Sequence, residues 1–195
     1  MEITAAMVKE LRSQSGAGIM ECKTALKETN GDLEAAVTFL RKKGLAKADK
    51  KSDRQTGEGS VGTYIHSGNK LGVMVELYCE TDFVANTPDF QELVRDIAMH
   101  IAAAKPRFAT RDEVTQEILD KEKEIAAHQA KESGKPDKII EKIVSGKMEK
   151  FYEENCVLEQ PFIKDTNITV EELIKQKIAL LGENINIGRF ARFEI

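Results

Sequence analysis

Three cysteines are the first candidates for nucleophilic or metal chemistry in this sequence. Cys22, Cys79 and Cys156 are widely separated, and none lies in a Cys-x-x-Cys pair or near a histidine at metal-ligand spacing. We expect them to be small buried side chains in a reducing compartment, with no bound metal. An alternative for Cys156 is a disulfide that joins two copies of the chain.

The histidines His66, His100 and His128 lie in separate predicted elements. We predict that His100 and His128 are solvent-exposed helix positions, because their neighbours at helical spacing are not metal ligands. The sequence contains no Walker loop, no His-Glu-x-x-His motif, no Ser-His-Asp context and no dinucleotide fingerprint. The run Gly16–Gly18 has no strand before it and no Gly-Lys-Ser/Thr after it. We therefore expect a protein without covalent chemistry and without a cofactor.

The segment Cys79–Asn86, which reads Cys-Glu-Thr-Asp-Phe-Val-Ala-Asn, places an aromatic ring on a short connection between two predicted elements. Before it, residues 71–79 alternate between two faces, which is typical of a half-buried strand. After it, Thr87 can cap a helix that Pro88 opens. Such connections often present binding groups. Two interpretations of Phe83 stay open: a lid folded back on the local core, or an aromatic side chain directed at a partner.

The composition favours a folded protein that is not a general nucleic-acid binder. Hydrophobic residues make up 41% of the 195 residues and charged residues 32%, and the net charge is −4. The sequence has neither an apolar run long enough to span a membrane nor a secretory signal, so we predict a cytoplasmic location. Residues 1–56 contain 11 Lys and Arg against 8 Asp and Glu, which favours a protein partner with an acidic patch.

The periodicity of apolar residues predicts an α+β fold in three parts. Residues 1–44 are predicted to form three short helices, with Thr4 and Asp32 as caps and Gly44 at the end of the third helix. This module resembles a ubiquitin-associated-type bundle. Residues 45–59 are predicted to be a polar linker, helical at most in its first half, whose basic run is a solvated tether.

Residues 60–195 are predicted to form the core domain around a three-stranded antiparallel sheet. The predicted strands are 61–65, 71–79 and 189–195, and the predicted helices are 88–104, 115–132, a helix from about 137 to 151, and one that runs from a capping box at Thr169 and Glu172 to Gly182. Gly134 to Pro136 divides the two charged helices, and Cys156–Phe162 is predicted to be extended. On the last strand, Ala191, Phe193 and Ile195 share one face.

The string from Glu80 to Asn86 resembles the signature of the bacterial translation elongation factor Ts family, the nucleotide exchange factors for the GTPase elongation factor Tu. Other matching segments follow in the family's order: Val8–Arg12, Gly16–Met20, Asn30–Asp32, Glu159–Phe162, Gly182–Ile185 and Arg192–Ile195. The resemblance covers nearly the whole chain. It implies a non-enzymatic factor that binds elongation factor Tu with GDP, displaces Mg²⁺ and promotes GDP release so that GTP can bind.

The resemblance also implies which residues contact elongation factor Tu. Thr81, Asp82, Phe83 and Val84 match the region that displaces the partner's Mg²⁺, with Phe83 as a wedge between two helices of its GTP-binding domain. Further implied contacts match positions in four other segments: Arg12, Ile19, Met20, Lys23, His66, Leu181 and Gly182. Ile19 replaces the more usual methionine and Leu181 replaces isoleucine. For Ile19 and Met20 the alternative is a place in the core of the N-terminal bundle.

The length of the chain bears on its assembly. Longer members of the family carry a duplicated core half and a protruding helical hairpin, and neither is evident in this sequence. Short members act as homodimers, so the resemblance implies a homodimer. It implies no direct contact with nucleic acid, membrane or a small-molecule substrate.

Two other classes of protein stay open on the residues alone. An adaptor of the ubiquitin-associated type would bind its partner through residues 1–44 without the tip. An enzyme would use Cys79 or Cys156 as a nucleophile, and would need one of these thiols to be activated.

Overall fold

The computed structural model describes residues 3–132 and 136–195, and within these ranges it confirms a mixed fold of helices and antiparallel sheet. The helices are α1 (Ala5–Ser15), α2 (Ile19–Glu28), α3 (Leu33–Asp49), α4 (Asp82–Ala85), α5 (Pro88–Ala104), α6 (Gln116–Glu132), α7 (Asp137–Asn155) and α8 (Val170–Leu181). The strands are β1 (Glu58–Ile65), β2 (Leu71–Cys79), β3 (Pro161–Phe162), β4 (Asp165–Thr169) and β5 (Ile185–Glu194).

The predicted three-stranded sheet is present, and its strand order is β1-β2-β5. Its last strand begins at Ile185 and not at Arg189, because Gly188 lies inside the strand and does not interrupt it. A second, two-stranded sheet pairs β3 with β4, and this pair was not predicted. Cys156–Phe162 is only partly extended, since a turn of 3-10 helix at Val157–Glu159 precedes β3.

Contacts between residues divide the chain into two compact units. One unit comprises Met1–Ser60, Leu77–Leu93 and Glu172–Asn186, and the other comprises Val61–Glu76, Val94–Glu171 and Ile187–Ile195. We call them the first and the second unit. The predicted division into residues 1–44, 45–59 and 60–195 follows a different criterion and stays a prediction.

In the first unit, helices α1, α2 and α3 surround a small apolar cluster. Thr4 Oγ1 accepts a hydrogen bond from Met7 N at 3.3 Å, and Asp32 Oδ1 accepts one from Ala35 N at 3.0 Å, so both predicted caps are present. The cluster consists of six buried residues: Leu11, Cys22, Ala25, Leu26, Ala36 and Leu40.

Helix α3 does not end at Gly44, as the sequence predicted, but continues to Asp49. Glycine is used there for close packing, because a Cβ atom at Gly44 would lie 3.4 Å from Ala179 Cβ on α8. The same two helices are joined by an ion pair between Arg41 and Glu172, at 2.6 Å. Helix α3 therefore continues past Gly44 in contact with α8, and its last residue, Asp49, also pairs with Lys175 of α8 at 2.9 Å.

In the second unit, the two predicted charged helices α6 and α7 are present, and they pack against each other, which the sequence analysis did not predict. Gly134 and Lys135, which were predicted to divide the two helices, lie outside the described residues. Near the end of α7, Val114, Met148, Phe151 and Cys156 form a buried cluster. No helix within residues 3–132 and 136–195 is long and apolar enough to cross a membrane.

The prediction that His100 is exposed is wrong, whereas His128 is exposed as predicted. His100 has no solvent-exposed surface, and its Nε2 donates to Gln160 Oε1 at 3.0 Å. The amide of Gln160 is oriented by its own hydrogen bond, from Nε2 to Glu154 O at 2.8 Å. The imidazole is buried because it falls on the apolar face of α5 beside Ile101, where no ligand is needed to explain it. Burial lowers the pKa of His100, while the hydrogen bond with Gln160 opposes this shift.

The lowered pKa of His100 predicts a loss of stability in mild acid. Below an ordinary pKa of about 6.5, the unfolded chain binds a proton that the folded chain does not, so the free energy of unfolding falls as the pH falls towards the lowered folded pKa. The loss is at most about 1.4 kcal/mol for each pH unit. Urea unfolding at about pH 7.5 and about pH 5.5 should show a larger decrease for the intact protein than for His100→Gln. Equal decreases would contradict the prediction.

Candidate functional site

The tip between β2 and α5 is a single turn of helix, α4, and not an irregular loop. Thr81 is its N-cap, and Thr81 Oγ1 accepts a hydrogen bond from Val84 N at 3.4 Å. Ala85 is buried, whereas Phe83 is 82% exposed. The lid interpretation of Phe83 is therefore wrong, because the ring points away from the local core.

The C-terminal end of α4 is fixed by side-chain hydrogen bonds. Asn86 Nδ2 donates to Asp82 O at 2.8 Å, and Gln91 Nε2 donates to Ala85 O at 2.8 Å. The same Gln91 nitrogen also donates to Ser60 Oγ at 2.8 Å. Thr87 caps α5, since its Oγ1 accepts from Phe90 N at 3.2 Å, so the predicted start of α5 is confirmed. The exposed ring of the tip thus lies between two anchored ends.

The N-terminal end of α4 is held by the loop that follows α8. The Glu183 carboxylate accepts three hydrogen bonds: Oε2 accepts from Glu80 N at 3.1 Å and from Thr81 N at 3.0 Å, and Oε1 accepts from Thr81 Oγ1 at 2.7 Å. In the opposite direction, Glu80 Oε1 accepts from Asn184 N at 2.7 Å. Each segment therefore supplies a carboxylate to the backbone of the other.

The basic run of the predicted linker is not only a solvated tether. Arg54 pairs with Glu80 at 3.4 Å, and Lys51 Nζ donates to Gly182 O. Asn184 is buried and donates from Nδ2 to the carbonyl oxygens of Ser52 and Arg54, at 3.1 and 2.8 Å. The end of the linker is thus hydrogen-bonded to the same loop that holds the tip.

Ile19 and Met20 do not belong to the core of the N-terminal helices. Ile19 is 56% exposed and Met20 is 71% exposed at the start of α2, while Leu11, Cys22 and Leu26 fill the core behind them. Arg12, in the last turn of α1, and Lys23, on α2, are also exposed. The start of α2 therefore exposes two neighbouring apolar side chains to water.

The structure places most of the predicted contact residues in the first unit. The tip residues, the exposed residues of α1 and α2, and the pair Leu181 and Gly182 all belong to it. Gly182 ends α8 with a φ of 84°, a backbone conformation that favours glycine. His66 is exposed and lies in the second unit, where its Nδ1 is 2.9 Å from the hydroxyl of Tyr64.

Sequence reasoning did not identify Glu183, Asn184 or Arg54 as parts of this site. A glutamate and an asparagine after a glycine carry no chemical signature of their own, because their hydrogen-bond partners lie 102 to 132 residues away in the chain. The one available signal was their place in the Gly182–Ile185 match.

The cysteines do not have the properties of catalytic nucleophiles. All three are buried and free. Burial raises the pKa of the Cys79 thiol, which is 3.1 Å from Thr81 O, and burial raises the pKa of Cys156 to about 11. Both shifts oppose thiolate formation at neutral pH, so they argue against the enzyme alternative. Among the described residues, no group of three or more His, Cys, Asp or Glu is placed to hold a metal ion.

A family model matches most of the chain, and individual relatives match nearly all of it. The model of the family "Elongation factor TS" matches residues 44–195. Elongation factor Ts of Solibacter usitatus is 57% identical over 194 residues, which are 100% of this chain and 92% of that protein. Elongation factor Ts of Fervidobacterium nodosum is 57% identical over 195 residues, covering 100% and 99%. That of Syntrophomonas wolfei is 59% identical over 193 residues, covering 99% and 90%. The predicted resemblance is therefore confirmed, and the chain belongs to the elongation factor Ts family.

Proposed function

We propose that this protein is a guanine nucleotide exchange factor of protein synthesis. It binds elongation factor Tu with GDP, displaces Mg²⁺ and promotes GDP release so that GTP can bind. The observation that carries the proposal is the 82% exposed Phe83 on a capped and anchored helical turn, in a chain of this family. A phenylalanine held in water by its backbone is suited to insertion into a partner.

The exchange step requires coupling energy and no covalent bond. An exchange factor weakens GDP binding by the same factor by which GDP weakens binding of the exchange factor. Weakening GDP about 10³-fold requires about 4 kcal/mol of coupling. Burial of one phenylalanine contributes only about 1.5–3 kcal/mol. Phe83 therefore acts together with other contacts, and the exposed Ile19 and Met20 supply further apolar surface in the same unit.

The proposed target of the tip is the Mg²⁺ ion of elongation factor Tu. The ion is the largest local countercharge to the phosphates of GDP, so disturbing its ligands lowers the affinity for the nucleotide. Thr81, Asp82, Phe83 and Val84 carry out this step, with Phe83 as the wedge and Asp82 exposed beside it.

The remaining proposed contacts hold the complex together. Arg12, Ile19, Met20 and Lys23 bind through the predicted N-terminal module of ubiquitin-associated type, residues 1–44, and Leu181 and Gly182 bind beside the tip. His66 contributes from the second unit. The linker 45–59 and the core domain 60–195 complete the proposed organisation, and the buried reduced thiols are consistent with a protein of the cytoplasm.

We also propose that the protein is a homodimer. The support lies in the second unit, where large apolar side chains are exposed on the three strands of the sheet and at the residue after β5: Val61 and Ile65 (60% each), Met74 (50%), Phe193 (70%) and Ile195 (98%). Phe193, Ile65 and Met74 line one shared depression. A contiguous apolar surface of this kind is typical of a face that is covered by a partner, and a second copy of the chain supplies a matching apolar face.

The exchange function is tested by stopped-flow release of fluorescent GDP from elongation factor Tu. The intact protein should accelerate release. Phe83→Ala should lower the acceleration at least about 10-fold, because the ring that would be buried in elongation factor Tu is lost. The ring is exposed in the free protein, so Phe83→Ala should change the free energy of unfolding by less than about 0.5 kcal/mol. Ile125→Ala removes another exposed apolar side chain, 43% exposed on α6, and serves as the matched control. No acceleration by the intact protein would refute the proposal.

The Mg²⁺ step is tested by repeating the release experiment with the ion removed by a chelator. If the wedge acts by displacing Mg²⁺, it has little left to displace under these conditions. The ratio of the release rates with intact protein and with Phe83→Ala should then fall towards one. A ratio that is the same with and without Mg²⁺ would show that Phe83 acts by another route.

The homodimer is tested by light scattering of the intact protein in dilute solution. We expect a molar mass of two chains, reduced to one chain by Phe193→Glu, because a carboxylate would be buried without a partner in the interface. Ile125→Glu is the control, and it should leave the mass unchanged. A mass of one chain for the intact protein would refute the homodimer.

A further inference from the structure

We infer that Glu183 is a positioning residue for exchange, which holds the tip helix α4 in the orientation that presents Phe83. With Glu80 it forms a reciprocal pair that we call the carboxylate clamp. The inference rests on the proposed exchange function and adds a residue that acts on elongation factor Tu only through the tip.

The Thr81 hydroxyl donates its proton to Glu183. Thr81 Oγ1 lies 2.7 Å from Glu183 Oε1, and because a carboxylate can only accept, the hydroxyl must donate its one proton there. Its lone pairs are then free to accept from Val84 N, which lies at 3.4 Å. Glu183 thus sets the direction of the hydroxyl that caps α4. The other carboxylate oxygen binds the backbone N–H groups of Glu80 and Thr81, so the entry to the helix is fixed at three points.

The carboxylate clamp is also anchored through Glu80. Glu80 Oε1 accepts from Asn184 N at 2.7 Å and pairs with Arg54. Asn184 is 1% exposed and is held by the carbonyl oxygens of Ser52 and Arg54. The cationic groups of Arg54 and Lys51, which bind Glu80 and Gly182 O respectively, offset the two acidic charges. Glu183 is therefore part of a supported network and not a flexible surface glutamate.

Helix α4 cannot keep its orientation by itself. A helix of four residues is far below the length at which a helix is stable in water. Phe83 is 82% exposed, so its ring adds little packing that would hold the turn in place. The orientation of the ring comes from the buried Ala85 and from the hydrogen bonds at the two ends of the turn, of which Glu183 accepts three at the first end. Without Glu183, the tip would have to become ordered when elongation factor Tu binds. This ordering costs free energy and lowers the fraction of encounters that lead to GDP release.

The test compares Glu183→Ala and Glu183→Gln with the intact protein in the GDP-release experiment. Glu183→Ala should lower the maximal release rate about 10-fold, with a smaller change in the half-saturating concentration, because the contacts outside the tip remain. Glu183→Gln should restore much of the rate. Its amide oxygen can accept from the two backbone N–H groups, and its NH₂ can donate to the Thr81 hydroxyl. Glu92→Ala is the matched control, because Glu92 pairs with Lys177 in the same unit and takes no part in the carboxylate clamp.

A role through the wedge is separated from a general loss of stability by a double-mutant cycle. In a Phe83→Ala background, Glu183→Ala should cost less than about 2-fold in rate, because the side chain that it positions is already absent. If the double variant loses rate by the product of the two single losses, the inference is overturned. An unchanged release rate for Glu183→Ala would also overturn it. If Glu183→Ala does not fold, the cycle is made with Glu183→Gln, for which a loss of about 2- to 3-fold is expected and an unchanged rate overturns the inference.

Two measurements on the free protein test the clamp independently of exchange. In Glu183→Ala, the Glu80, Thr81 and Val84 amides should exchange hydrogen at least about 10-fold faster. Cys79, which is buried beside Thr81 O, should become more reactive towards an alkylating reagent, as resolved by mass spectrometry, while Cys156 does not. Unchanged amide protection would overturn the positioning role. If the intact protein does not accelerate GDP release from elongation factor Tu but these local changes occur, the exchange function is refuted and the role of the carboxylate clamp is supported.

Discussion

The presentation of Phe83 in water is the constraint on which the surrounding structure depends. A large aromatic side chain that is 82% exposed contributes little to folding, so every force that directs it must come from its backbone. Thr81 supplies the cap, Glu183 and Glu80 supply the hydrogen bonds before the turn, and Asn86 supplies one after it. Hydrogen bonds thus connect three segments that are distant in the chain: residues 51–54, 80–86 and 182–184.

The structure contains a buried polar side chain and several exposed apolar side chains, and these two kinds of exception have different explanations. His100 is a polar ring in the core, where its Nε2 is hydrogen-bonded to Gln160 and its Nδ1 has no partner among the described residues. Ile19 and Met20 are apolar side chains in water, and no internal packing explains them. The same holds for Phe193 on the sheet of the second unit. The exposed apolar residues are therefore the ones on which the proposed partner contacts rest, whereas the buried histidine is held within the core by Gln160.

The alternatives of adaptor and enzyme lose their basis for physical reasons. A thiol such as Cys156, buried and with its pKa raised to about 11, is not an activated nucleophile. An adaptor that used only residues 1–44 would leave the anchored tip and the carboxylate clamp without a role. The chain belongs to the elongation factor Ts family, and the proposed exchange function assigns a role to the tip, to the carboxylate clamp and to the exposed residues of α2.

The sequence by itself determined the local elements, because their signals are local. Period-two alternation gave β2, the caps Thr4, Asp32 and Thr87 gave the starts of three helices, and the string Glu80–Asn86 gave the family. It did not determine where α3 ends, whether His100 is buried, or how the tip is held. Those depend on the close approach of Gly44 to Ala179, on Gln160 reaching His100, and on Glu183 reaching Thr81. Only the tertiary structure could decide them, since each is a contact between residues that lie 60 or more positions apart in the chain, and a local pattern does not encode such a partner.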